Sequence, residues 1–420
     1  MINGNKVRRA SVGSVLSGLA GQTLLFVTGI LAARILGAED RGYLSMFTAF
    51  VYIVALVGGL GLPQAIVFYL PKIRAVPTFL FNLRDLLFYQ IIAIIAVHTA
   101  VIFLVFVSRG REVGTAAFFT LMAAPGLLLQ WYGLSILQGQ ERFKLFNRLR
   151  NIPLIVYATA LTALYISGVA QLVSVTLVWS ISNLGAGFLI LFLSFDRPTP
   201  NFTKPISETL PTKREMTSFG MKGLFGWASP LDSFRLDHLI AGLLLSPIGL
   251  GFYVVGQAFT NFPKILSLSV GMIAYPVVSG SENRDDAKAS IRQFVLLVSC
   301  INLLLVILLW IAIPFLVELL FGNEFMESVL LARILITGAL FLSTRRIIVE
   351  CFRGLGFPEI STYSELSVLP CLLISIPTLI LPYGIIGLAI AVVFGQIVSL
   401  SVAVIICLRS WPQFSLPDKK

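Results

Sequence analysis

Apolar runs of about 20 residues, the length that crosses a hydrocarbon core of about 30 Å as a helix, recur twelve times along this chain. They lie near 11–34, 43–70, 86–107, 115–137, 151–169, 171–194, 220–245, 250–277, 291–317, 328–349, 362–382 and 384–408. Hydrocarbon offers the backbone no hydrogen-bonding partner, so each crossing must satisfy its own N–H and C=O groups, which a helix does. The pattern predicts an all-α polytopic membrane protein. Composition agrees: 12% of residues are charged and 57% hydrophobic, against about a quarter charged in a soluble domain. The first run leads directly into further spans and lacks a cleavage site, so it reads as a span and not as a removed signal.

Lysine and arginine set the orientation. With the N-terminus in the cytoplasm, 24 of the 31 basic residues fall on the inner side. The outer loops hold four, Arg34, Arg41, Arg109 and Arg111, and three lie within spans: Arg235, Lys264 and Arg333. Positive charge collects on the cytoplasmic side of inserted helices, so both termini are expected inside, with the chain in the plasma (inner) membrane. The net charge of +11 then reflects topology and attraction to anionic lipid, and no nucleic-acid partner is called for. Cys300, Cys371 and Cys407 fall in spans and Cys351 near the inner face, without metal-ligand or redox spacing, so they read as small packing residues.

One stretch interrupts the apolar rhythm. Residues 195–219 carry Pro198, Pro200, Pro205 and Pro211 among mixed charges, a cytoplasmic linker, and Thr212 with Glu215 forms a capping-box pattern that marks a helix start. The linker separates a six-helix lobe over 1–194 from a second over 220–420. The lobes look like copies. GYLSMFTAF (Gly42 to Phe50) matches GFYVVGQAF (Gly251 to Phe259) at an offset of 209, and LQGQERF (Leu137 to Phe143) resembles FRGLGF (Phe352 to Phe357) at offsets near 215. Six spans return the chain to its starting side, so the copies are parallel and pseudo-symmetric, with the expected site in a central cavity between them.

The seventh span, SPLDSFRLDHLIAGLLL (Ser229 to Leu245), carries Asp232, Arg235, Asp237 and His238 where its neighbours carry Leu and Phe. Three ionisable groups near a helix centre cost roughly 8–10 kcal/mol on the insertion scale, whereas each large apolar residue returns only about 0.3–0.6 kcal/mol. The charged face must therefore meet protein, water or ligand. On a continuous helix Asp232, Arg235 and His238 share a stripe and Asp237 points elsewhere. Span 8 offers Gln257, Asn261 and Lys264 in a second stripe, and helical rise places Lys264 level with Asp232. Three readings stay open: an Asp232–Arg235 ion pair locking span 7 to span 8, a cationic cluster of Arg235, Lys264 and His238 for an anionic headgroup, and ion coupling through Asp232 or Asp237. Asp237, near the amides of Gln257 and Asn261, is the titrating group if transport is proton-coupled. Pro230 and Pro263 each remove a helix hydrogen bond beside these charges and are candidate hinges. His98 reads as a hydrogen-bonded packing residue, Arg333 as a side chain snorkelling to the outer surface, and Arg345 and Arg346 as inner positive charge that is also able to attract an anionic headgroup.

RILGAEDRGY (Arg34 to Tyr43), LDHLIAGLLLSPIGLGFY (Leu236 to Tyr253) and MIAYPVVSG (Met272 to Gly280) resemble the Wzx-type oligosaccharide flippases of the multidrug/oligosaccharidyl-lipid/polysaccharide exporter superfamily. The resemblance covers nearly the whole chain. It implies movement of a polyprenyl-pyrophosphate-linked oligosaccharide from the cytoplasmic to the outer leaflet for surface polysaccharide biosynthesis, by alternating access through a cavity lined by spans 1, 2, 7 and 8. In span 1 the polar groups offered to that cavity are Gln22, Thr23 and Thr28, in place of the arginines of related lipid II flippases. A cation-coupled multidrug exporter of the same superfamily is the alternative. The implied partners are the lipid-linked glycan, membrane lipid and other polysaccharide-assembly proteins, with the chain acting as a monomer. No catalytic constellation, metal site or cofactor motif is present in the sequence, so an enzyme is not expected.

The basic asymmetry predicts that cysteines placed at Ser207 and Ser281 react with an impermeant thiol reagent only from the cytoplasmic side, and one at Gly110 only from outside. Labelling of position 207 in intact cells would reverse the orientation.

Overall fold

The computed structural model describes residues 4–73, 76–169, 171–195, 210–227, 229–281 and 283–411. Most of the linker, including Ser207, lies outside them. The described elements are all helices. Nine stretches are long and apolar enough to cross a membrane. Two of these, Leu16–Gly58 and Glu359–Ser410, are each divided by a glycine outside helical geometry, Gly37 at φ 69° and Gly384 at φ 60°. Counting the divided stretches twice and adding the interrupted seventh span gives the twelve crossings expected from the apolar runs.

The chain forms two compact units, Met1–Leu36 with Tyr43–Gly226, and Gly37–Gly42 with Trp227–Lys420. The first contains α1 (Gly4–Gly58, apart from its 37–42 segment), α2 (Leu62–Tyr69), α3 (Val76–Val101), α4 (Arg111–Phe119), α5 (Ala123–Gly139), α6 (Phe143–Leu149), α7 (Ile152–Ser167), α8 (Leu172–Phe195) and α9 (Lys213–Trp227). Its centre is the α5–α8 pair, where Gln130 donates to the Asn183 carbonyl at 2.9 Å. The small residues of the first span serve close packing: Ser17 donates to the Asn147 carbonyl at 2.7 Å and accepts from Asn151, at the α6–α7 junction. α9 starts at the expected capping box, with Thr212 N donating to Glu215 at 2.8 Å and Glu215 N donating back to Thr212 Oγ1 at 3.2 Å. These bonds hold the Glu215 carboxyl below its usual range. Phe219 of α9 stacks on Phe68 of α2, with ring centroids 4.3 Å apart.

The second unit contains α10 (Leu236–Leu244), α11 (Pro247–Ala258), α12 (Asn261–Ser279), α13 (Arg284–Leu320), α14 (Ser328–Gly354), α15 (Glu359–Leu366), α16 (Val368–Ser375) and α17 (Leu381–Ser410). α14 lies at its centre. Ile347 and Cys351 pack with Ala274, Val278 and Val298 on one side, while Val349 and Phe352 pack with Ile360, Ala403 and Cys407 on the other.

The repeats seen in sequence have structural counterparts. Helix α14 ends with Phe357 N donating to Phe352 O and Gly356 at φ 95°; α5 ends with Arg142 N donating to Leu137 O and Glu141 at φ 56°. Each residue pairs with its counterpart at an offset of 215. A second pairing is physical as well as sequential. A Cβ on Gly42 would lie 1.8 Å from Pro247 O, and one on Gly251 would lie 1.9 Å from Ala38 O. Ala38 and Pro247 stand four residues before their glycines, at the same offset of 209, so the two copies cross reciprocally through small residues. The 37–42 segment enters the second unit here, and Glu324 accepts from Ala38 N at 2.7 Å.

Gly251→Ala should therefore lower stability by about 1–3 kcal/mol, the usual cost of overpacking, and reduce membrane abundance. Gly185→Ala, where an added Cβ meets nothing within 4 Å, should leave thermal unfolding in detergent unchanged.

Candidate functional site

Span 7 is not one helix. α9 ends at Trp227, α10 begins at Leu236, and Ser229–Arg235 form a turn. Ser233 N and Phe234 N both donate to Ser229 O at 3.0 Å, and Leu236 N donates to Pro230 O at 3.1 Å. Pro230 brings no N–H to a helical ladder, and Arg235 adopts φ 46°, ψ 45°, a left-handed conformation that costs a non-glycine residue about 1–2 kcal/mol. The stripe of Asp232, Arg235 and His238 expected on a continuous helix consequently does not form. The turn instead directs each charged group to its own surroundings.

Asp232 meets two cations from two helices. Its Oδ1 lies 3.2 Å from Lys264 Nζ on α12, and its Oδ2 pairs with Arg346 on α14. Lys264 and Asp232 are thus brought together, and Arg346, read from the sequence as inner charge, joins them. The cluster carries one net positive charge. The side chains of Asp232, Lys264 and Arg346 retain 37%, 20% and 20% exposure. Arg235 stands at the N-terminal cap of α10.

Arg345, next to Arg346, has a different environment. It is 2% exposed, pairs with Glu365 of α15 and donates to Ser364 Oγ at 3.2 Å. Glu365 also accepts from Ser229 Oγ at 2.6 Å, and Ser229 Oγ accepts from Asp232 N at 3.3 Å. Arg345 and Arg346 are therefore not simply inner-surface charge: one anchors the start of the turn through Glu365, the other holds its middle through Asp232.

The second group lies on α10. Asp237 is fully buried and its Oδ2 accepts from Tyr253 Oη at 2.8 Å and Gln257 Nε2 at 2.9 Å. Gln257 Oε1 bonds His238 Nε2 at 2.7 Å, and the His238 ring meets Tyr253 edge-on at 5.9 Å. His238 thus joins the Asp237 network on α11 and not the Asp232 stripe. Asp237 Oδ1 has no hydrogen-bond partner among the described residues. Asn261 opens α12 and is half-buried, while Gln22, also half-buried, belongs to the first unit. Span 8 is interrupted at Phe259 and Thr260, before Pro263, which sits in the first turn of α12 where a proline is tolerated.

Two minor readings agree with the geometry. His98 Nε2 lies 2.7 Å from Thr120 Oγ1 in a buried pair. Arg333 covers the Trp310 ring at 4.1 Å and donates to the Trp310 carbonyl at 3.2 Å. Tyr253, the pairing of Arg346 with Asp232 and the Glu365–Arg345 pair were missed by sequence reasoning. The signal for Tyr253 was available, since GFY follows Asp237 in a motif already singled out; the others depend on tertiary packing.

A family model described as polysaccharide biosynthesis protein matches residues 8–282, and the chain belongs to that family. A search of curated proteins returns no match. Among solved structures, the chain is similar to the lipid II flippase MurJ in an inward closed conformation, with 13% identity and a TM-score of 0.71 over 96% of this chain and 89% of that one. It is similar to a multidrug resistance MATE family transporter of the MOP superfamily facing inward, with 17% identity and a TM-score of 0.70 over 94% and 96% of the two chains. For an outward-facing MATE transporter of the same superfamily the values are 16% and 0.61, over 97% and 96%. The chain has the fold of that superfamily and is a multi-pass membrane protein.

Glu365→Ala would strand the buried Arg345 guanidinium, and thermal unfolding in detergent should register a loss of about 3–5 kcal/mol. Arg353→Ala, which breaks an exposed pair with Glu350, should cost no more than about 1 kcal/mol.

Proposed function

We propose that this polysaccharide biosynthesis protein is a flippase that carries a polyprenyl-pyrophosphate-linked oligosaccharide from the cytoplasmic to the outer leaflet of the inner membrane by alternating access, with both termini in the cytoplasm. The observation that carries the reading is the Lys264–Asp232–Arg346 cluster: two cations on spanning helices around one carboxylate of the span 7 turn, partly exposed and net positive. Fixed cations in a low-dielectric setting favour a pyrophosphate through charge-assisted hydrogen bonds. Arg235 stands at the head of α10, at the far end of the turn that carries Asp232. The fold shared with a lipid II flippase supports a lipid-linked substrate. An outward-moving headgroup of about two negative charges gains roughly 4–5 kcal/mol from an inside-negative potential of about 100 mV, so export does not require a counter-ion.

A second reading, a cation-coupled exporter of the multidrug type, is favoured by Asp237. A buried carboxylate with one oxygen unpartnered among the described residues suits proton or cation exchange, and the fold is shared with multidrug transporters. In the flippase reading, Asp237 with Tyr253 and Gln257 fixes α10 against α11.

Lys264→Ala and Arg346→Ala are each expected to reduce surface glycan export at least about tenfold, the effect of losing one charge-assisted contact, at unchanged protein abundance. Export at the wild-type rate in both variants would remove the headgroup site. In the same assay Asp237→Asn should export at the wild-type rate; a loss at unchanged abundance would favour the coupled exporter.

A further inference from the structure

We propose that Asp232 is a built-in competitor for the anionic headgroup: its carboxylate occupies the seat formed by Lys264 and Arg346, a phosphate-class anion displaces it, and displacement frees the turn that joins α9 to α10. This rests on the reading of the cluster as the headgroup site and concerns how that site is regulated.

Asp232 uses its two oxygens separately, Oδ1 toward Lys264 on α12 and Oδ2 toward Arg346 on α14. Two cations on different helices approached by two oxygens of one anion is also how a phosphate is recognised. Charge favours exchange. One carboxylate leaves the two cations with an excess of one, whereas a doubly charged anion neutralises both and repels the displaced Asp232.

The neighbouring pair shows what a permanent contact looks like. Arg345 is 2% exposed against Glu365, and removal of its partner leaves an uncompensated buried charge. Asp232 retains 37% exposure, so the carboxylate side of its contact is open where the guanidinium of Arg345 is not. The turn is therefore attached to its unit at two points of different character. Ser229, bonded to Glu365 at 2.6 Å, is the anchored end. Asp232 is the releasable middle. Arg235, at φ 46°, lies beyond it in a left-handed conformation that is unfavourable for a non-glycine residue. The turn also begins two residues after the chain passes from the first unit to the second, between Gly226 and Trp227.

The test uses full-length protein in nanodiscs of zwitterionic lipid, with inorganic pyrophosphate and farnesyl pyrophosphate as probes. Binding is read by calorimetry, and the amides of 232–236 by hydrogen exchange. A seat filled by its own carboxylate nine-tenths of the time binds about tenfold more weakly than a vacant one, so Asp232→Asn should bind both probes about tenfold more tightly than wild type. Lys264→Gln should bind them more weakly. In wild type, pyrophosphate should accelerate exchange at 232–236, and the D232N protein should exchange quickly with or without it. If Lys264→Gln weakens binding but Asp232→Asn does not strengthen it, the headgroup site stands and the competitor is wrong. If Lys264→Gln binds as wild type, the headgroup site fails and takes the competitor with it. The wild-type exchange measurement needs no variant: unchanged or slowed exchange on adding pyrophosphate overturns the proposal. Tight binding of farnesyl pyrophosphate beside weak inorganic pyrophosphate would place the lipid in the site; equal binding would make the phosphates its sole determinant.

Discussion

The cost of an unpaired charge in hydrocarbon governs this structure. Span 7 carries more ionisable groups than its apolar residues can offset, and it does not resolve the conflict by facing them to one side of a regular helix. It breaks. The break frees Asp232 to meet Lys264 and Arg346, leaves Asp237 and His238 on α10 opposite Tyr253 and Gln257, and puts Ser229 on the Arg345–Glu365 pair. Left-handed backbone at Arg235 is the local cost. The arrangement separates a reachable cluster, suited to a ligand, from a buried network suited to holding helices together.

The internal repeat shows that the charges are a specialisation. Carrying the offset of 209 back into the first span places Thr23, Phe26 and Thr28 at the positions of Asp232, Arg235 and Asp237. α1 is helical there, as uncharged residues in a spanning helix allow. Elsewhere the copies agree closely, in the reciprocal glycine crossing of Gly42 and Gly251 and in the matching helix ends at 137–142 and 352–357. One architecture was kept in both lobes, and its polar interruption in span 7 was built in only one of them.

What the sequence disclosed follows the range of the forces involved. Hydrophobic length and the Thr212–Glu215 cap are local, and each was legible. The meeting of Asp232 with Lys264 was legible too, because a single tight connection at Ser246–Pro247 joins α10 to α11 and fixes relative depth. The break itself was not. Pro230 marked a bend, but the alternative partners that make a turn preferable to a stripe come from α14 and α15, more than a hundred residues away. Arg346 and Arg345 fitted the positive-inside rule, and nothing local distinguishes a surface arginine from one that a distant carboxylate will claim. His238 was assigned to the wrong group because helical phase was carried across a segment that is not helical.

The most direct measurement is transbilayer movement in proteoliposomes, comparing an oligosaccharide on a polyprenyl pyrophosphate with the same oligosaccharide on a neutral polyprenyl ether. A cationic seat for the headgroup predicts rapid, protein-dependent movement of the pyrophosphate-linked glycan and none above background for the neutral one. Equal movement of both would contradict it, since recognition would then lie in the sugar or the lipid and the charges of span 7 would have no part in choosing the substrate.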